Sequence, residues 1–265
     1  MYIISTRRNF SHPDRMGTRI YYKEVNRKLQ PKGDVELSSV LKPKERILLL
    51  VHGYNNEMED TLEAYKTVED YFRLLRANNP YDHVVGFTWP GGEMGVDYFR
   101  PRARTKKIAP HLAFIIEQLA SISNSSIDVM CHSMGTRLTL QAMSYVRRSK
   151  VRNCFSLAAA VEDDSIEKDE KFYKATQKCK YFFVFHSSRD KVLKYLYAAA
   201  EDLDDALGLK GPEDAAKIME FSKNVRVFNC TRKINKHGQY KKRAELYRVI
   251  AKHHNQPLRG QYFTL

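Results

Sequence analysis

The sequence has few cysteines, a single tryptophan and no long apolar run. The four cysteines are Cys131, Cys154, Cys179 and Cys230. No two of them form a CxxC pair, which excludes a zinc or thiol redox motif, and free thiols in apolar runs suit a reducing compartment. No segment approaches the roughly 18 apolar residues of a membrane span, and the apolar run within residues 1–8 is too short for a signal peptide. We therefore expect a cytoplasmic protein without a transmembrane segment.

Several motifs that identify other classes of protein are missing. The sequence contains neither a GxxxxGK[ST] phosphate-binding loop nor an HExxH metal motif. No recognised nucleic-acid-binding motif accompanies the basic residues. We therefore expect neither a metal nor an organic cofactor. The net charge of +14 nevertheless favours an anionic ligand or surface as a partner, with a solvated basic surface as the alternative.

Short β-branched runs alternate with longer amphipathic runs along the 265 residues. The predicted strands are 2–6, 19–23, 46–52, 83–88, 126–131, 154–160, 181–186 and 225–229. The predicted helices are 58–77, 104–122, 134–148, 168–178, 192–207, 215–222 and 240–254. This alternation predicts an α/β fold with a mostly parallel sheet of about eight strands and helices on both faces. We expect a single domain over residues 1–265, with cap-like insertions near 91–107 and 195–217.

The segment Ile127-Asp-Val-Met-Cys-His-Ser-Met-Gly135 has the layout of a nucleophile elbow. An apolar strand ends just before Ser133, and a helical pattern begins directly after it. Such a turn exposes the serine hydroxyl, and it needs small residues two positions before and two positions after the serine. Gly135 satisfies the second position, and Cys131 occupies the first, where glycine is usual. Ser133 is therefore the candidate nucleophile.

A serine hydroxyl becomes a nucleophile when a base, itself oriented by a carboxylate, removes its proton. Asp190 follows the seventh predicted strand, and His237 follows the eighth. Parallel strands bring the loops at their carboxyl ends to one edge of the sheet, so we expect Ser133, Asp190 and His237 to converge there. Asp163 and Asp164, after the sixth strand, are the alternative carboxylates. Asp190 could instead serve only as the N-cap of the helix that follows it.

Acyl transfer also requires backbone N–H groups aimed at the oxyanion of the tetrahedral intermediate. We expect one donor from Met134, which directly follows the nucleophile. We expect the second from Tyr54, in the turn His-Gly-Tyr-Asn-Asn after the third predicted strand, where Gly53 permits a tight bend. These two amides are the candidate oxyanion hole.

Together these motifs resemble those of the α/β-hydrolase superfamily. The nearest resemblance is to a group of largely uncharacterised bacterial serine hydrolases that share the His-Gly-Tyr-Asn-Asn and His-Ser-Met-Gly motifs. Further similarities are Phe87-Thr-Trp-Pro90 and Ser187-Ser-Arg-Asp190, and the match runs from about residue 46 to residue 240. The resemblance implies an α/β-hydrolase sheet, the chain order Ser, Asp, His, and cleavage of an ester-like acyl bond. It implies no particular substrate.

We therefore predict a serine hydrolase of the carboxylesterase, lipase or thioesterase type, which forms an acyl-enzyme with a small-molecule ester or acyl substrate. Asn55, Trp89 and Tyr98 are candidates for the substrate pocket, and Trp89 could equally be plain core. The basic run at 100–107 suits an anionic substrate or a solvated face. Two alternatives stay open: an acyltransferase with the same triad, and a non-catalytic binding protein that uses a basic surface for an anionic partner.

Overall fold

The computed structural model describes residues 1–54, 56–92, 99–147, 150–197 and 204–265. Its strands are β1 (Tyr2–Arg7), β2 (Met16–Val25), β3 (Pro31–Asp34), β4 (Ile47–Val51), β5 (His83–Thr88), β6 (Ile127–His132), β7 (Val151–Leu157), β8 (Cys179–His186), β9 (Val225–Asn229) and β10 (Tyr262–Thr264). They form a 10-stranded sheet in the order β10-β9-β8-β7-β6-β4-β5-β1-β2-β3. The pairs β1–β2 and β2–β3 are antiparallel, and all other neighbouring pairs are parallel. The predicted mostly parallel sheet is confirmed.

The sheet has two strands more than predicted, one at each edge. All four residues of β3 are exposed, and β3 includes Pro31 and Lys32, so it has no apolar alternation that would mark a strand. The other missed strand, β10, has only three residues and pairs with β9 through Tyr262, Phe263 and Thr264. Both are short edge strands, which sequence patterns detect least well.

The described helices are α1 (Leu37–Val40), α2 (Met58–Leu74), α3 (Phe99–Ile122), α4 (Met134–Met143), α5 (Tyr173–Thr176), α6 (Leu207–Lys210), α7 (Ala215–Phe221) and α8 (Ala244–Asn255). A π-helical turn covers Leu193–Tyr197, and 3₁₀ segments cover Arg76–Asn78 and His237–Lys242. Within the described ranges, no helix has both the length and the apolar character needed to cross a membrane.

Three helix predictions need correction. The helix predicted at 168–178 is reduced to α5, because Asp169 has φ +71°, a left-handed conformation that a helix cannot include. The helix predicted at 192–207 is not continuous, since Ala206 is extended and forms a β-bridge with Glu162. Helix α3 begins at Phe99 rather than at residue 104, so the basic run at 100–107 lies on a helix instead of an irregular loop.

Strand β4 explains how the core is divided between the two faces of the sheet. Ile47, Leu49 and Val51 contact the cluster that also contains side chains of α3 and α4. Leu48 and Leu50 contact the opposite cluster, together with α2 and α8. Successive side chains of a strand point to opposite faces, and complete burial of each one stabilises the fold by about 2 kcal/mol. The uninterrupted apolar run of β4 is therefore the consequence of helices on both faces.

The parallel strands β4, β6, β7, β8 and β9 all end at the same edge of the sheet. In sheets of this kind, ligands bind outside the carboxyl ends of the strands. The turn at 52–56, in which residues 52–54 and 56 are described, follows β4. Ser133 follows β6, Asp190 follows β8 and His237 follows β9. The fold therefore brings the predicted polar residues to a common edge.

Candidate active site

Ser133 occupies a strained turn between β6 and α4. Its φ and ψ are 55° and −126°, a conformation that residues with a Cβ rarely adopt and that costs on the order of 1–3 kcal/mol. Its backbone N–H donates to the carbonyl of Leu157 at 2.9 Å, and its own carbonyl accepts from the N–H of Ala160 at 3.3 Å. These bonds to the end of β7 hold the turn in place, and the side chain keeps some exposure to solvent, 8 % for the residue.

Two small residues flank the serine in different ways. Gly135 packs against the end of β4, where a Cβ would lie 2.7 Å from the carbonyl oxygen of Val51 and closer still to that of His52. Cys131 is completely buried in the core on the α3–α4 side of the sheet, and its Sγ lies 3.6 Å from the carbonyl of Phe155. The close helix–strand contact therefore falls on Gly135, whereas Cys131 packs as a small core residue.

Asp190 and His237 are joined by a hydrogen bond. Nδ1 of His237 donates to Oδ2 of Asp190 at 2.8 Å, and Asp190 is completely buried. The other oxygen, Oδ1, accepts from the backbone N–H groups of Val192 at 3.1 Å and Leu193 at 3.2 Å. Asp190 therefore caps the following turn and orients the imidazole at the same time. With Nδ1 as the donor, Nε2 of a neutral ring is left as a proton acceptor.

His132 connects the serine turn to the loop that carries His237. Nε2 of His132 donates to the backbone carbonyl of His237 at 2.9 Å, and the two ring centroids are 4.7 Å apart. Burial lowers the pKa of His132 well below 6.5, and His237 lowers it further, which favours a neutral ring. No hydrogen bond joins Ser133 Oγ to His237 in the described part of the chain; catalytic bonds of this kind often tighten only in the substrate complex.

The turn at 52–56 lies directly against the serine. A Cβ on Gly53 would be 2.8 Å from the Cβ of Ser133 and 3.0 Å from the carbonyl oxygen of His132. Tyr54 is the next residue, and its carbonyl accepts from the side-chain amide of Asn56 at 2.7 Å. Met134 is the first residue of α4, so its N–H has no partner carbonyl within the helix. Met134 directly follows Ser133, and Tyr54 follows Gly53, which packs against Ser133; the donor role of both amides stays a prediction.

Comparisons with known proteins agree with this fold. The model of the family described as alpha/beta hydrolase of unknown function (DUF900) matches residues 32–252. The chain belongs to this family. Among solved structures, esterase PE8 is 12% identical with a TM-score of 0.50, and 82% of this chain aligns with 94% of that chain. The lin2722 gene product of Listeria innocua is 10% identical with a TM-score of 0.50, over 83% of this chain and 98% of that chain. At such identities the likeness shows the fold alone, and no curated protein matches the chain.

In this α/β-hydrolase, the buried ring of His52 fixes the turn at 52–56, of which His52 is the first residue. Its Nδ1 donates to the carbonyl of Gly53 at 2.8 Å. Its Nε2 accepts from the backbone N–H of Trp89 and from Nη2 of Arg7, both at 3.1 Å. Burial lowers the pKa of His52 well below 6.5, and the charge of Arg7 lowers it further. The neutral ring is fixed in one tautomer, and it connects the Gly53 carbonyl to Arg7 at the end of β1 and to Trp89, which follows β5.

Sequence reasoning missed two residues of this support, Arg7 and Tyr65. The first predicted strand ended one residue before Arg7, which is completely buried at the end of β1. A charged residue at the end of a strand whose other residues are uncharged is the signal that could have identified it. Tyr65 lies on α2; its hydroxyl accepts from the N–H of His52 at 2.9 Å and donates to the carbonyl of Phe87 at 2.5 Å. No local sequence pattern distinguishes this tyrosine from other core positions of α2.

The three predicted pocket residues have different outcomes. Asn55 and Tyr98 lie outside the described residues. Trp89 is completely buried in the core, and its ring stacks on that of His52 with centroids 5.5 Å apart. Its Nε1 donates to the carbonyl of His52 at 2.9 Å. Trp89 therefore packs as core beneath the turn at 52–56, and contact with a substrate stays a prediction.

The alternative carboxylates, Asp163 and Asp164, follow β7. In the described part of the chain neither forms a hydrogen bond or ion pair with His237. Burial raises the pKa of Asp163 to about 6, with further increases from Glu213 and Asp205. The geometry therefore favours Asp190 as the partner of the imidazole.

Proposed function

We propose that this α/β-hydrolase is a serine hydrolase that cleaves an ester-like acyl bond, with Ser133 as nucleophile, His237 as general base and Asp190 as the orienting carboxylate. The substrate class is that of a carboxylesterase, lipase or thioesterase. The observation that carries the proposal is the 2.8 Å bond from His237 Nδ1 to buried Asp190. That bond leaves Nε2 as acceptor in a loop tied to the residue before Ser133.

The reaction follows from these groups. His237 Nε2 removes the Ser133 hydroxyl proton as Oγ attacks the substrate carbonyl carbon, and the imidazolium that forms is stabilised by Asp190. The same proton then passes to the leaving oxygen or sulfur, which departs as an alcohol or thiol and leaves an acyl-enzyme. Water, deprotonated by His237, attacks the acyl-enzyme, and the carboxylic acid is released with Ser133 restored.

The N–H groups of Met134 and Tyr54 are the proposed donors to the oxyanion of each tetrahedral intermediate. Met134 supports this role because it opens α4, where the backbone N–H is unpaired and the helix dipole favours negative charge. Tyr54 supports it because Gly53 brings its turn into contact with Ser133. Removal of one such donor typically lowers the rate by about 100- to 1,000-fold. A turn that fails to hold the Tyr54 N–H in place would therefore lose part of this rate.

The test is covalent labelling with a fluorophosphonate probe, together with hydrolysis of short-chain p-nitrophenyl esters. We expect labelling of the wild type, none of Ser133→Ala, and a loss of kcat on the order of a thousandfold or more for Ser133→Ala and His237→Ala. Ser144→Ala is the matched control, because Ser144 is an exposed serine at the end of the same helix. A folded wild type that neither labels nor hydrolyses these esters would contradict the proposal, as would an active Ser133→Ala.

A further inference from the structure

The proposed nucleophile and its carboxylate lie on opposite sides of the end of β7. Ser133 follows β6, Asp190 follows β8, and the strand order places β7 between those two strands. In the described part of the chain no hydrogen bond joins the serine hydroxyl to His237, so the alignment of the triad depends on the backbone that lies between its members. That backbone is residues 158–162, which directly follow β7 and are called the bridging segment below.

The bridging segment is hydrogen-bonded toward both sides. The N–H of Ala160 donates to the carbonyl of Ser133 at 3.3 Å. The N–H of Ala158 donates to the carbonyl of Phe185 at 3.1 Å, in the strand that leads to Asp190. Ala158 has φ +49°, a conformation that residues other than glycine seldom adopt. A segment with such a conformation persists only when the surrounding structure fixes it.

The side chain of Arg137 fixes this segment to α4. Arg137 is buried and lies one helical turn after Ser133. Its Nε donates to the carbonyl of Ala160 at 3.2 Å, and its Nη1 and Nη2 each lie 3.4 Å from a carboxylate oxygen of Glu162. Although burial opposes it, the charge of Arg137 lowers the pKa of Glu162, which favours an ionised pair. The peptide groups of Ala160 are therefore bound by two residues of the same helix.

The same guanidinium contacts the turn that follows Asp190. Nη2 of Arg137 donates to the hydroxyl of Tyr197 at 3.5 Å, and Tyr197 is the last residue of the π-helical turn. At the start of that turn, the N–H of Leu193 donates to Oδ1 of Asp190 at 3.2 Å. One side chain of the nucleophile helix thus connects the bridging segment with the turn that holds the carboxylate.

We infer that Arg137 is a positioning residue, which sets the location of Ser133 relative to Asp190. The inference rests on the proposed function and adds a residue to its machinery. A guanidinium suits this role because its rigid fork presents several donors at once, which a single ammonium group does not. The alternative is that Arg137 only balances the charge of Glu162 and stabilises the fold.

Two replacements of Arg137 separate positioning from charge balance. In Arg137→Met, Glu162 keeps Lys171 at 3.5 Å and Arg102 at 3.8 Å, so its carboxylate is not left without a cation. Arg137→Lys keeps the charge but loses the fork. Lys171→Met is the matched control, because it removes another cation from Glu162 and leaves the bond from Arg137 to Ala160 intact.

We expect kcat for p-nitrophenyl acetate to fall about 10- to 100-fold in Arg137→Met, because a small displacement of reacting groups slows the chemical step. KM should change less than about threefold. Arg137→Lys should lose at least about fivefold in kcat, and it carries the comparison if Arg137→Met does not fold. Lys171→Met should keep the wild-type kcat. Full activity in Arg137→Lys, or equal losses at Arg137 and Lys171, would overturn the inference.

A double-mutant cycle with Asp190→Asn tests the positioning itself. The readout is the rate of labelling by the fluorophosphonate probe. If Arg137 aligns the serine with Asp190, Arg137→Met should cost less than about threefold once that carboxylate is lost. A substitution that merely destabilises the fold would slow labelling by the same factor in both backgrounds, and that result would also overturn the inference.

Failure of the proposed function is recognised separately, by a wild type that neither labels nor hydrolyses the ester. The geometry is then followed by proton NMR, through the downfield resonance of the Nδ1 proton that His237 donates to Asp190. We expect this resonance, assigned by its loss in His237→Gln, to be the same in the wild type and Lys171→Met. It should be shifted or broadened in Arg137→Met, and an unchanged resonance in that folded variant would overturn the inference.

Discussion

Replacement of Arg7 by methionine separates the stability of the fold from the rigidity of the site. Arg7 is completely buried, and its Nη2 lies 3.1 Å from Nε2 of His52, 2.8 Å from the carbonyl of Asn56 and 3.4 Å from Oγ1 of Thr61. The first two contacts are at the two ends of the turn at 52–56. Arg7 thus fixes, from β1, the turn that contains Tyr54, the proposed oxyanion donor.

The expected change in stability is small, because two opposing effects nearly cancel. The three hydrogen bonds from a charged donor each contribute about 1.5 kcal/mol, so their loss costs about 4.5 kcal/mol. Nε and Nη1 of Arg7 have no partner among the described residues, and relief of these two buried donors returns about 2 kcal/mol each. Burial of the charge also lowers the pKa of Arg7 to about 10, which indicates that the cation is poorly compensated. We expect the free energy of unfolding to change by no more than about 2 kcal/mol.

We expect kcat/KM to fall although the free energy of unfolding changes little. Without Arg7 the carbonyl of Asn56 loses its donor and His52 keeps only the N–H of Trp89 on Nε2. We expect the looser turn to lower kcat/KM by about 10- to 100-fold, which is part of the roughly 100- to 1,000-fold that a whole oxyanion donor contributes. The assay is hydrolysis of p-nitrophenyl acetate, with guanidinium unfolding followed by circular dichroism, and Arg8→Met is the exposed control. A folded Arg7→Met variant with wild-type kcat/KM, or a loss of more than about 2 kcal/mol in the free energy of unfolding, would refute the reasoning.

Three further predictions concern packing, a buried network and pH. Gly135→Ala should lower the free energy of unfolding by about 3 kcal/mol in urea titrations, because its Cβ would overlap carbonyl oxygens of the β4 end; Gly33→Ala, with no atom within 4 Å of its Cβ, should change it little. Asp128 is 2% exposed and accepts hydrogen bonds from a tyrosine, an asparagine and a histidine. Asp128→Ala should lower the free energy of unfolding in urea titrations by about 3–5 kcal/mol. Exposed Asp34→Ala should lower it by about 1 kcal/mol or less. Burial and neighbouring carboxylates raise the pKa of Asp163 to about 6, so its ionised form destabilises the fold as pH rises from about 4 to 6. Asp163→Asn should therefore raise Tm above pH 6 and not at pH 3, and an equal gain at both values would contradict the assignment.

The sequence predicted the parts of the fold that depend on buried periodicity. Strands such as β4 and β8 are apolar runs that lie between two helical layers, so their composition alone identifies them. Edge strand β3 has no such requirement, because its side chains face solvent. Helix boundaries failed where backbone conformation, rather than hydrophobicity, decides, as at Asp169 with its positive φ. Local left-handed geometry in a residue other than glycine leaves almost no trace in sequence.

The topology of the sheet explains why two of the predicted site residues lie in contact. Parallel strands require the residues after β6, β8 and β9 to share an edge, so the contact between Asp190 and His237 followed from their order along the chain. The support beneath the turn at 52–56 could not be predicted in the same way. Arg7 reaches His52 across β5, which separates β1 from β4 in the sheet. Only the three-dimensional strand order places a side chain from the start of the chain under that turn.

This arrangement explains why a strained serine turn can persist. Ser133 keeps its positive φ because β7 binds its backbone on one side and Gly53 packs on the other. Gly53 is in turn fixed by neutral His52, and His52 by Arg7, Tyr65 and Trp89, which come from β1, α2 and the end of β5. Each group is held by elements remote in sequence, so the strain at the serine is balanced by the packing of the whole sheet edge rather than by local turn residues. Substitutions in β1 or α2 that leave the core intact should therefore alter reactivity at Ser133 before they alter folding.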